Sequence, residues 1–141
     1  MPTQKKAATE AQPAKSKGLF EIKRANDGRY FFNLHAANTQ VIASSQMYSS
    51  LSACKNGIAS VAANAPIAPI EDQTLVNATP EKFPKFQIVM DKGGKYRFNL
   101  WASNGQNILS CTQGYAQKSG CKAGIASVVA NANAPAEMEE N

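Results

Sequence analysis

Two strings decide how this chain folds: CKNGIASVAANAP at Cys54–Pro66 and CKAGIASVVANANAP at Cys121–Pro135. Each places a glycine, Gly57 or Gly124, inside a run whose apolar residues recur at helical spacing, at a cost of about 1 kcal/mol relative to alanine. Close approach of the helix to a neighbour would offset that cost, and so would a break into two short helices; the string admits both.

Working outward, Phe20–Met47 aligns with Phe86–Gln113 and, after one extra residue at Gly114, Tyr48–Ala65 aligns with Tyr115–Ala132, with 24 of 46 positions identical. A match this dense is an internal duplication. Upstream of each helical string the period changes to two. GLFEIKRANDGRYFFNLHAANTQVIAS and PKFQIVMDKGGKYRFNLWASNGQNILS alternate apolar and polar residues between turn clusters at Asn26-Asp27-Gly28, Ala37-Asn38-Thr39, Lys92-Gly93-Gly94 and Ser103-Asn104-Gly105. Each copy therefore reads as a three-stranded antiparallel meander followed by a helix.

In the central strands Tyr30, Phe32, Leu34 and Tyr96, Phe98, Leu100 share the core face. In the first helix Leu51, Cys54, Ile58 and Val61 fall on one side, with Ser49 or Ser50 as N-cap. The second keeps Cys121, Ile125 and Val128 there, has Lys118 in place of the leucine, and is expected to start less regularly. Pro66 and Pro135 end the two helices.

The chain has 141 residues, a formal charge of +5 and three cysteines. That length suits one compact body. The expected layout is a flexible basic tail at 1–17, a first repeat at 18–66, a linker at 67–83 that can hold a short closing strand, a second repeat at 84–135, and an acidic tail at 136–141. No run suggests a secretory signal or a membrane span, so the expectation is a cytoplasmic protein without membrane association. Cys54, Cys111 and Cys121 form no CxxC pair and have no nearby histidine, which argues against a disulfide framework or zinc site.

With the repeat aligned, YFFNLHAANTQVIASSQMYSS followed by NGIASVAANAP, and YRFNLWASNGQNILS followed by AGIASVVANANAP, resemble the YegP-like family over roughly Gly18 to Pro135. The resemblance implies an α+β fold in which the two copies share one continuous sheet, helices packed on it, with closing strands exchanged between the halves at Ile67–Asp72 and Ala136–Glu140. It also implies that a fused pair such as this one is monomeric, with a dimer as the alternative. It supplies no mechanism.

Enzymatic chemistry finds little support. His35 is the single histidine and aligns with Trp101; no GxSxG, HExxH or dinucleotide fingerprint is present, and DKGGK at Asp91 reads as a hairpin turn before an anion nest. The expectation is a non-enzymatic binding or interaction module with no cofactor and no metal. Its candidate surface is the outward sheet face: Arg29, Phe31, Asn33 and His35 from one copy, Lys95, Arg97, Asn99 and Trp101 from the other. That mixture fits a protein partner or anionic ligand, or, as the alternative, single-stranded nucleic acid engaged with help from the basic tail. A third reading makes Cys54 and Cys121, equivalent by duplication, a redox pair; on an apolar helix face the simpler reading is a small buried hydrophobe.

Overall fold

A computed structural model describes residues 18–138; the basic segment 1–17 and the last residues of the acidic end lie outside them. The first meander is β1 (Leu19–Arg24), β2 (Tyr30–His35) and β3 (Val41–Ser44), followed by α1 (Leu51–Asn64), a short 3-10 turn (Ala65–Ile67) and β4 (Ile70–Asp72). The second is β5 (Lys85–Met90), β6 (Tyr96–Trp101) and β7 (Asn107–Cys111), followed by α2 (Lys118–Ala130) and β8 (Ala136–Met138). All eight strands join one sheet in the order β4-β5-β6-β7-β3-β2-β1-β8. β4 follows the first helix yet pairs in parallel with β5 of the second copy, and β8 pairs in parallel with β1 of the first. Each copy thus covers the edge that the other would leave open.

The hairpins turn where glycine supplies positive φ: Gly28 at 88°, Gly94 at 81° and Gly105 at 83°. Thr39 takes the place of Gly105 in the first copy and is held at φ 69°, which a β-branched residue rarely adopts. Alternation then sorts the strands. Phe20, Ile22, Phe32, Leu34, Phe86, Ile88, Phe98 and Leu100 are buried with Cys54, Val61, Cys121, Ile125 and Val128 from the helices. Leu51 and Ile58 are only partly buried against that cluster.

Both helices are continuous through their glycines, and the cause is close approach to a tyrosine. A Cβ at Gly57 would lie 2.3 Å from Tyr48 Oη, and one at Gly124 would lie 2.6 Å from Tyr115 Oη and 3.0 Å from the Phe98 ring. These tyrosines occupy the same place in the two copies. Each stacks on a core phenylalanine, Tyr48 on Phe32 and Tyr115 on Phe98, and its ring crosses the helix where no side chain stands. The two helices begin at matching positions, so the expected irregularity is confined to capping. Ser50 Oγ accepts the Ala53 N–H at 3.0 Å, whereas Gln117 makes no side-chain cap.

Candidate functional site

The helices occupy one face of the sheet; no described helix or strand covers the other, and the 73–84 segment folds over its β4–β6 end, where it buries Glu71 and part of Trp101. Strand register lays a single transverse row across that open face. Reading across all eight strands it runs Glu71, Gln87, Asn99, Ser110, Ser44, Asn33, Glu21, Glu137. Every member is polar. At the junction of the copies Ser110 Oγ donates to Asn99 Oδ1 at 2.6 Å, and Ser44 Oγ donates to Asn33 Oδ1 in the same way. The row therefore holds separate hydrogen-bonded pairs, Gln87 with Glu71, Ser110 with Asn99 and Ser44 with Asn33, with a carboxylate at either end.

The eight residues singled out from sequence flank this row unevenly. Asn33 and Asn99 sit on it, and Phe31, His35, Arg97 and Trp101 stand two residues away along their strands, all half-buried. Because β2 and β6 run antiparallel through the intervening pairings, Phe31 lies toward the Trp101 end and His35 toward the Arg97 end. Arg29 and Lys95 precede their strands and are exposed, and Arg29, expected on the outward face, instead lines the helix side next to Tyr48, because it sits in the hairpin before β2 begins.

Much of the expected positive charge is already engaged. Arg29 Nε donates to Asp27 Oδ2 at 2.7 Å and Arg97 Nε to Asp91 Oδ2 at 2.7 Å, each bond reaching back to its own hairpin. Both aspartates are held below the usual carboxylate range, Asp27 chiefly by the Arg29 backbone N–H and Asp91 chiefly by the Arg97 guanidinium. Trp101 is partly covered too. Phe83 lies 6.2 Å away, centroid to centroid, the Lys85 ammonium sits 5.0 Å from the Phe83 ring, and the indole N–H is buried without a hydrogen-bond partner among the described residues.

His35 is bonded on both ring nitrogens, Nδ1 to the Thr39 carbonyl at 3.0 Å and Nε2 to Glu21 Oε1 at 2.9 Å. Two acceptors favour the doubly protonated ring. Its pKa is raised, first by the Thr39 carbonyl and then by Glu21 against the cost of burial, while Glu21 is lowered mainly by His35.

Cys54, Cys111 and Cys121 are free and buried. Burial pushes the Cys54 and Cys121 thiols up to about 11, which suppresses the thiolate that redox chemistry requires. Cys111 does the work of Ser45: Phe98 N–H donates to its Sγ at 3.4 Å, as Phe32 N–H donates to Ser45 Oγ at 3.0 Å.

The residue that sequence reading missed is Glu71, within the segment read as a linker. It is 1% exposed and accepts from Lys85 Nζ at 2.7 Å, the Glu81 backbone N–H at 2.7 Å, Gln87 Nε2 at 3.0 Å and the Gln73 amide. Lys85 leads the groups that hold its pKa down at about 2. Nothing in the local composition separates it from a solvated glutamate.

Among the described residues no group of histidine, cysteine and carboxylate side chains could hold a metal ion, and no helix is long and apolar enough to cross a membrane.

Comparison with known proteins matches residues 25–72 and 91–137 to the family model described as Domain of unknown function (DUF1508). The first matched segment runs through α1 to the end of β4, and the second runs through α2 into β8. UPF0339 protein PM0519 of Pasteurella multocida is 41% identical over 115 residues, covering 82% of this chain and 87% of that one. UPF0339 protein YegP of Escherichia coli is 35% identical over 114 residues, 81% and 89% of the respective chains. The solution NMR structure of yegP from E. coli, described as a protein of unknown function, superposes with a TM-score of 0.70 at 31% identity over 92% of this chain and all of that one. UPF0339 protein SO3888 from Shewanella oneidensis gives a TM-score of 0.70 at 28% identity over 86% of this chain and 91% of that one.

Proposed function

We propose, from the premise that the chain belongs to the DUF1508 family, whose function is unknown, that it is a non-enzymatic interaction module acting through the helix-free face of its sheet. One observation carries this reading: an eight-stranded sheet puts both helices on one side and leaves the other, with Phe31, Val41, Val89 and Trp101 half-buried around a polar row, without a described helix or strand over it. A protein partner suits that face better than a polyanion, because Arg97 is paired with Asp91, Trp101 is partly covered by Phe83, and Arg29 lies at the helix-side groove instead of on this face.

The absence of catalysis is part of the proposal. The single histidine is bonded on both nitrogens, and the Cys54 and Cys121 thiols are buried with raised pKa values. Three free thiols also support a reducing compartment, the cytoplasm, as its location.

The test compares proteins that co-purify with the wild type, with Phe31→Glu/Val89→Glu on the open face, and with Lys122→Glu on a helix. A partner lost only in the double variant, with melting unchanged, supports the reading; a partner that ignores the double variant overturns it. Fluorescence anisotropy with single-stranded DNA and RNA at low and physiological salt runs alongside. Saturable binding at physiological salt that is lost in Arg97→Ala/Trp101→Ala would replace the protein-partner reading with the nucleic-acid one.

A further inference from the structure

A groove of about 620 Å3 lies on the helix side, between α1 and the β6–β7 hairpin of the other copy, away from the open sheet face. Its floor is a consequence of sequence. Ala53, Asn56, Gly57 and Ser60 fall on one stripe of α1 at positions i, i+3, i+4 and i+7, and all are small or short. That stripe leaves a trough where a helix usually presents bulk. The opposite wall is the hairpin, through Asn104, Gln106 and Ile108.

The walls are braced. Buried Asn64, at the end of α1, accepts the Ser103 hydroxyl at 2.8 Å across the copies, while its own amide is tied to Ser60 at 2.8 and 3.0 Å. In the second copy the equivalent Asn131 accepts the Gly18 backbone N–H at 2.9 Å instead. This brace between a helix and the opposite hairpin thus belongs to the first helix.

The lining has a definite chemistry. Asn104 Oδ1 accepts the Gln106 backbone N–H at 3.0 Å, which leaves its amide nitrogen to donate. Asn56 and the Gln106 side chain are exposed and make no hydrogen bond to the described residues. The Tyr48 hydroxyl is buried without a partner of hydrogen-bonding geometry among the described residues, with the Gln46 side chain beside it. Carboxamides and hydroxyls both donate and accept, which matches a ligand rich in hydroxyl groups. The one ionised side chain in the lining is Arg29, with no carboxylate facing it from inside the groove. Its Nε is anchored to Asp27, so its terminal nitrogens are held in place and left to donate.

We propose that this groove binds a small polyhydroxylated carboxylate, of the size and chemistry of a sugar acid, with Arg29 receiving the carboxylate and the Asn56, Asn104 and Gln106 amides receiving hydroxyls. The volume lies in the range of small-molecule sites, about 300–1,000 Å3. The site does not depend on the sheet-face reading.

The test is a titration of the 15N-labelled full chain with D-glucuronate, D-glucose and acetate, followed by amide chemical shifts. The expected result is saturable shifts with glucuronate, confined to Arg29, Asn56, Gly57 and Gln106 and their neighbours, and weaker shifts with glucose or acetate. Arg29→Gln weakens glucuronate binding at least about tenfold, the order expected for one charge-assisted hydrogen bond. Asn56→Leu, which replaces a floor amide with an apolar side chain at an exposed position, also weakens it, and both variants melt as the wild type does. Shifts of equal size with glucose, an unchanged affinity in Arg29→Gln, or no saturable shift up to about 10 mM glucuronate each overturn the proposal.

Discussion

The two edges of the sheet are closed by the same device and held by different chemistry. β4 and β8 are both three-residue strands, both run parallel to the first strand of the opposite copy, and each receives one matched backbone bond, Phe86 N–H to the Pro69 carbonyl at 2.8 Å and Phe20 N–H to the Pro135 carbonyl at 2.9 Å. The glutamate at the centre of each strand meets a different neighbour. Glu71 faces Gln87 and is buried under Lys85; Glu137 is exposed and lies in register beside another carboxylate, Glu21. Lys118 of α2 adds a bridge from the second copy to Asp72 of β4 at 2.7 Å. Duplication therefore preserved the topology of closure while concentrating its energy at one edge. Backbone pairing sets where a closing strand lies, and side chains set how firmly it stays.

The largest effect expected from this contrast is that of Glu71→Ala. It strands the Lys85 ammonium, whose side chain is 12% exposed, without its carboxylate. Breaking a buried pair in this way costs about 3 kcal/mol, against about 0.5 kcal/mol or less for Glu137→Ala at the exposed counterpart. Urea denaturation of the two variants measures the difference directly, and equal losses would mean the edges are closed alike. A smaller effect belongs to Lys118→Ala. Burial raises the Asp72 pKa, and the bonds from Lys118 and Thr74 more than reverse it, so removing the lysine should bring that carboxyl back up. The pair is partly solvated, so a loss of about 1 kcal/mol is expected, read as faster hydrogen exchange at Phe86 with Phe20 unchanged. Acceleration at both amides would show that the edges open together.

The α+β fold was legible because its signals are periodic and repeated. Alternation around Phe32 and Phe98, the turn glycines, and the helical spacing of Cys54 and Val61 all recur across the duplication, and a repeated signal is hard to mistake. The outcome at Gly57 was open in the sequence because the group that fills the missing side chain's place, Tyr48, lies on the preceding loop, and only tertiary packing brings its hydroxyl there. Glu71 was illegible for a similar reason. Its burial depends on Lys85 and Gln87, which are remote in sequence and become neighbours only through parallel pairing. The outward face was located by strand parity alone, yet parity carries no information about the aspartates that engage Arg29 and Arg97, because those bonds come from the hairpins.

The smallest effect sharpens the comparison most, because pH acts oppositely on the two edges. Glu71 has a lowered pKa, so its contribution is present above the ordinary glutamate value and is lost only as pH falls toward about 2. His35 has a raised pKa, so its contribution is complete below the ordinary histidine value and is lost as pH rises through the raised one. Its partner Glu21 is lowered and loses its share on the acid side. The pair is therefore strongest in mildly acid solution. As His35 loses its proton above the ordinary histidine value, one of its two bonds goes, and Glu21 is left beside Glu137 with Lys23 at 3.8 Å as compensation. Protection of the Phe20 amide, corrected for intrinsic exchange, should fall from mildly acid to alkaline solution by an amount under about 1 kcal/mol, while protection of Phe86 holds. Glu21→Gln places the second copy's residue in the first, since Gln87 stands at the matching position. It should flatten the alkaline loss at Phe20, because the ring then has no carboxylate to favour its charged form and β8 has no second carboxylate to repel. An alkaline loss that persists in Glu21→Gln would detach the pH response from this pair and place it in the Thr39 turn, whose carbonyl holds the other nitrogen of the ring.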